Sequence, residues 1–466
     1  MAAPGTLLSA AIVLLTAAAT AACETGNRPP APSPGTGTGE TITGRERIGW
    51  DQPAQGTAEL ATFRYAIYVD GTRSEIADAT CTSTAGPTGF ACSGRLPVMP
   101  PGTHVLEIAA FTSGDADAES ARSGTLRVTV IGSTSPATAT PLVNGERLTT
   151  VDGIQLSAVL VVDGIADLAD MALAPDGRLL IAERGGRVRI VEDSVNAAPP
   201  VVADTGAELL SLALAPDFAS TGHVFVIHSQ PGVFGLVRYR LQGDQLIDRM
   251  RILADIPASP EPSAVVRFGP DAKLYAAFDD ANDRDAAERL SDWGGKILRL
   301  NPDGRTPDDQ PAASPVFWSG LASPRGLDWG PDGNALWMAE RGPDGIERLR
   351  VLVTGVDRPR RAGQRATYVL PGEPWTTSLA FSRGDAVPQF HGNLFVAARG
   401  AGSLLRVQFH QNDRTRAVTT EKLLEGRMEG LRAVQVSEDG AIYCATGSAV
   451  WRLTPPPDPR KSGVIR

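Results

Sequence analysis

The 466-residue chain carries 44 Lys and Arg against 53 Asp and Glu, a formal net charge of −9, with 42% hydrophobic residues. That balance belongs to a globular protein of two or three domains and argues against a nucleic-acid partner, which favours a basic chain. Four cysteines without C-x-x-C spacing, and only five histidines, give no readable structural zinc site.

In chain order, residues 6–22 form an apolar, Ala-rich run too short for a membrane span, matching an export-signal core. It ends in Thr20-Ala21-Ala22-Cys23, which resembles a lipobox, so Cys23 of segment 1–23 is the expected lipidation site. Plain cleavage and a retained anchor are the alternatives. Membrane contact is then by lipid anchor only, and the location is periplasmic or cell-surface. Residues 24–44 have almost no large apolar side chain and are expected to be a disordered linker.

From 45 to 132 the pattern is β. Phe63–Val69 ends in an Asp70-Gly71 turn, His104–Phe111 alternates, and Leu126–Val130 closes the unit. This predicts a β-sandwich, and Ile48–Pro53 with the Pro100-Pro101-Gly102 turn resembles a fibronectin type III-like module, a spacer or docking unit. Cys81 and Cys92 bracket a Gly/Pro-containing loop and are expected to form a disulfide in an oxidising compartment.

After residue 150 a turn followed by an aliphatic strand recurs at Pro175, Pro216, Pro270, Pro331, Pro388 and Glu438, spaced 41, 54, 61, 57 and 50 residues apart. Each interval holds four short strands, so 150–455 is predicted to be a six-bladed β-propeller, with a flexible tail at 456–466. The fold class is therefore all-β, a six-bladed propeller preceded by a small β-sandwich.

Leu209–Phe218, Val266–Tyr275, Gly295–Gly304, Ser323–Trp329 and Glu340–Pro343 together resemble motifs of the soluble glucose/sorbosone (aldose sugar) dehydrogenases that use pyrroloquinoline quinone (PQQ). The resemblance implies a histidine base, an aspartate that orients it, arginines beside the quinone, and calcium. Transferred position by position, the histidine falls on Glu261 and the aspartate on Asp280. The calcium-binding backbone falls on Gly342 and Pro343. The Gln or Glu before Leu209-Leu210 falls on Gly206, one arginine on Ala322, and the two late arginines on Gly430 and Arg432. Arg399 is a further expected cofactor contact.

Glu261 is either a replacement base or a solvated loop residue. The run Asp279–Asp285 is either a calcium loop or a solvated turn. The histidines are expected to be structural or surface residues, and Cys444 a core residue. Two functions follow. One is a PQQ-dependent oxidoreductase of aldose sugars with key catalytic positions replaced. The other is an inactive propeller that binds carbohydrate or protein at the cell surface.

Overall fold

Alternation of apolar and polar residues builds the first sheet pair. Phe63–Val69 pairs antiparallel with Gly102–Thr112, which places Tyr65, Ile67, Leu106, Ile108 and Ala110 on one buried face. Arg47–Gln52 pairs with Gly89–Arg95 in the facing sheet, contributing Ile48, Trp50, Phe90 and Cys92 to the same core. Trp50 meets Tyr65 edge-on at 4.7 Å. Cys81 and Cys92 are joined by a disulfide, and Tyr65 Oη lies 3.7 Å from each sulfur. This is the small β-sandwich.

The structure is a computed structural model. It describes residues 46–76, 79–97, 102–112, 119–130, 141–192, 201–310, 313–353, 375–400, 402–410 and 413–457, with short stretches at 31, 33–34, 40–42, 99 and 368–370. The expected export segment with Cys23, the Pro100-Pro101 turn and residues 458–466 lie outside the described residues. The chain divides into two units, 1–133 and 134–466.

The linker expected over 24–44 is corrected in part. Glu40–Ile42 pairs in parallel with Leu126–Val130, Ser33–Pro34 pairs with Arg47–Gln52, and Ile42 is buried in the sandwich core. One well-placed isoleucine suffices to dock a strand on an existing sheet edge. Few apolar residues in the window do not exclude that.

In the second unit the described residues form six sheets. Blade 1 opens with Leu168–Leu173, blade 2 with Glu208–Leu214, blade 3 with Ala264–Phe268 and blade 4 with Ser323–Trp329; blade 5 opens with Thr376–Phe381 and blade 6 with Ala433–Val436. These innermost strands touch their successors in order, and the sixth touches the first. The six recurring turns, four of them Pro-Asp, each follow an innermost strand, so they gather at one end of the ring. The starts of the innermost strands gather at the other.

Blade 6 closes the ring. Its third strand, Val450–Thr454, pairs with Gln155–Val162 from the start of the unit, which pairs in turn with Glu146–Thr149. The propeller therefore begins before residue 150, because an outer strand precedes the first turn motif.

The Gly295–Gly304 motif is structural. Gly295 sits at φ +65°, and a Cβ there would lie 2.4 Å from Ala287 Cβ. Lys296 Nζ donates to the carbonyls of Ala286, Ala287 and Gly294 at 2.7–3.0 Å, satisfying the end of the short helix Arg284–Glu288. Arg299 bridges Asp271 and Asp309.

Leu453, 1% exposed, faces Ala158 across the closing pair. Leu453→Ala should cost about 2–5 kcal/mol, seen as a lower urea midpoint. An unchanged midpoint would show that this pair does not hold the ring.

Candidate functional site

Innermost strands alternate their side chains between the neighbouring blades and the central channel. At the end of the ring where these strands start, they enclose a cavity of about 60 Å³, room for a few waters. Its wall includes Asp170, Arg184, Ser211, Arg267, Arg325 and Arg432. Among the described residues, four guanidiniums thus face one carboxylate, and no imidazole lines the wall.

That carboxylate is fully engaged. Asp170 accepts from Ser211 Oγ at 2.7 Å, from the Leu212 and Met171 amides, and from both Nη atoms of Arg267 at 2.8 and 3.1 Å. Arg267 also donates to the Leu212 and Val266 carbonyls. The network ties the innermost strands of blades 1, 2 and 3. A buried, fully bonded acid–guanidinium pair is costly to break from one side.

The remaining guanidiniums are less satisfied. Arg184 pairs with Glu208. Arg432 pairs with Asp167 at 2.8 Å, but its Nε is buried without a partner. Arg325 Nε is likewise buried and unpartnered. Burial pushes the Arg325 and Arg432 pKa values down; Glu347 opposes this at Arg325 and Asp167 opposes it at Arg432. Neighbouring guanidiniums, Arg341 and Arg184 at Arg325 and Arg399 and Arg184 at Arg432, press the same way as burial. At the rim, Trp375, 48% exposed, has the Arg341 and Arg399 guanidiniums 5.6 and 5.9 Å from its ring centre.

Of the expected site residues, the wall contains Arg432, and Arg399 lies close enough to act on it electrostatically. Glu261 is exposed and absent from the wall, where Pro262 and Ser263 stand instead. Ser259, the Ser263 amide and the Ala281 amide all bond to the buried Asp279 carboxylate, which turns the preceding loop outward at Glu261. Asp280 spends its oxygens on the Asn282 amide and Arg284 and does not reach the wall. In the acidic run these bonds engage Asp280, and Asp283 caps the Ala286 amide.

Gly342 and Pro343 lie in a hairpin turn where the Gly342 carbonyl accepts from the Gly345 amide. Among the described residues no group of three His, Cys, Asp or Glu is placed to hold a metal. Ala322 is buried and its amide donates to Glu340. Sequence reading missed Asp170, Arg184, Arg267 and Arg325. The signal available was position: Asp170, Arg267 and Arg325 lie on innermost strands, and Arg184 directly follows the strand beside one, all countable from the turn motifs.

Residues 166–357 and 361–453 match the family model for glucose / sorbosone dehydrogenases. An aldose sugar dehydrogenase of Escherichia coli K12 is 26% identical over 328 residues, 61% of this chain and 88% of that protein. A Thermus thermophilus oxidoreductase described as a glucose dehydrogenase is 30% identical with a TM-score of 0.55, covering 64% of this chain and 99% of that one. The PQQ-bound aldose sugar dehydrogenase of Streptomyces coelicolor, 22% identical at a TM-score of 0.54 and covering 64% of this chain and 98% of that one, shares the fold.

Asp170→Ala would strand Arg267 and should cost about 3–5 kcal/mol, read by urea unfolding; a loss below about 1 kcal/mol would contradict the network. Burial raises the Glu347 carboxyl, with Arg325 opposing. As pH rises the unfolded chain gives up this proton first, so stability falls between the ordinary glutamate value near ~4.3 and the raised one. Glu347→Gln should flatten that fall in unfolding measured across pH, whereas an unchanged slope would contradict it.

Proposed function

This chain belongs to the glucose / sorbosone dehydrogenase family, and on that premise we propose that it is an exported sugar-binding propeller that has lost quinone-dependent oxidation. The observation that carries this reading is the channel wall, where among the described residues guanidiniums converge, no imidazole is present and the one carboxylate, Asp170, is spent on Arg267 and Ser211. Oxidising an aldose hydroxyl to a quinone requires a base within hydrogen-bond reach of the departing proton. Glu261, at the position of the family histidine, is exposed and absent from the channel wall.

PQQ would supply hydride acceptance in such a reaction. Arg325 and Arg432, with buried unpartnered Nε atoms, suit the carboxylates of a quinone, yet the base and the calcium ligands do not fit. No step is derived through the cofactor. The surviving family motifs support shared ancestry, since Lys296 and Arg299 serve the scaffold.

In this proposal Cys23 carries a lipid anchor, and the fibronectin type III-like sandwich is a spacer that holds the propeller off the membrane. The Cys81–Cys92 bond supports an oxidising compartment. The alternative, oxidation with Glu261 as base, is separated by titrating the full chain with PQQ and calcium and then assaying dye reduction over an aldose panel. The proposal expects no sugar-dependent dye reduction. Turnover abolished by Glu261→Ala would overturn it.

A further inference from the structure

We propose that the channel is a carboxylate site for an acidic sugar of the hexuronate class, with Arg325 as its deep anchor. The inference deepens the sugar-binding reading and rests on it.

The wall offers four guanidiniums and one carboxylate. Arg267 is neutralised by Asp170. Arg184 and Arg432 are partly compensated toward the rim, by Glu208 and Asp167. Arg325 is the one whose main opposing charge, the buried Glu347, makes no hydrogen bond to it. Burial also raises the Glu347 carboxyl, which weakens it as a counter-charge.

A partly buried guanidinium without a paired anion is destabilised by its lost hydration. A neutral sugar hydroxyl does not relieve that penalty. A carboxylate does, because two parallel N–H donors of arginine match its two oxygens. Arg325 and Arg432 both line the cavity, and each has an Nε that no protein group satisfies. The cavity of about 60 Å³ takes a carboxylate and a little water, leaving the sugar ring at the mouth, where Trp375 offers an exposed face.

Isothermal titration of the full chain tests this with D-galacturonate, D-galactose, inorganic phosphate and PQQ with calcium as separate ligands. Galacturonate should bind at least tenfold more tightly than galactose or phosphate, and the preference should shrink as salt is raised. Arg325→Gln should weaken galacturonate binding about tenfold or more, with folding confirmed by thermal unfolding. Arg432→Gln provides a second variant and should also weaken it. Arg305→Gln, at an arginine 85% exposed, should bind as the unaltered chain does. Equal affinity for galactose and galacturonate, phosphate binding as tight as galacturonate, binding of PQQ alone, or indifference to both Arg325→Gln and Arg432→Gln would each overturn the proposal. Sugar-dependent dye reduction would instead sink the non-redox reading, so the two failures are distinguishable.

Discussion

Everything in the propeller depends on one antiparallel pairing across nearly the whole unit, between Gln155–Val162 and Val450–Thr454. Each blade is a sheet that buries its faces only against its neighbours, as the clusters shared by consecutive blades show. A ring has no unprotected terminal blade only when first and last are joined. The strand from the beginning of the unit completes the last sheet, and this non-local contact removes an open edge.

Closure also decides where chemistry is possible. With the innermost strands fixed side by side, their starts converge on a narrow channel, and the Pro-Asp turns are confined to the opposite end. Side chains at the converging end meet regardless of their separation in sequence, as Asp170 and Arg267 do. Crowding four guanidiniums there raises the cost of leaving them without anions. With Arg267, Arg184 and Arg432 each paired to a carboxylate, the uncompensated charge of the wall falls chiefly on Arg325. The cavity's preference for an anionic ligand follows from that charge.

The blades were legible because their signal is local: proline presets φ, and Asp-Gly permits the reversal before an apolar strand. The outer strand Glu146–Thr149 was not, because its partner pairing lies beyond any window containing a turn motif. The site was legible only in its gaps. Placing the family histidine on Glu261 correctly marked a loop, but sequence did not show that Asp279 binds Ser259 and Ser263 and leaves Glu261 in solvent. Likewise the run Asp279–Asp285 has the composition of a calcium loop, while its oxygens are spent on amides and Arg284. Arg325 directly follows a matched Ser-Pro pair, and its direction into the channel depends on strand alternation within the closed ring.

The central claim is that the channel holds a carboxylate at Arg325 and Arg432, and that the one carboxylate among its described wall residues, Asp170, is spent on Arg267 and Ser211. A crystal structure of the full chain soaked with galacturonate tests it most directly. The account predicts the sugar carboxylate within hydrogen-bond distance of Arg325, with no titratable base beside the anomeric hydroxyl. A sugar bound with its carboxylate turned to solvent and its anomeric hydroxyl against Glu261 would contradict it.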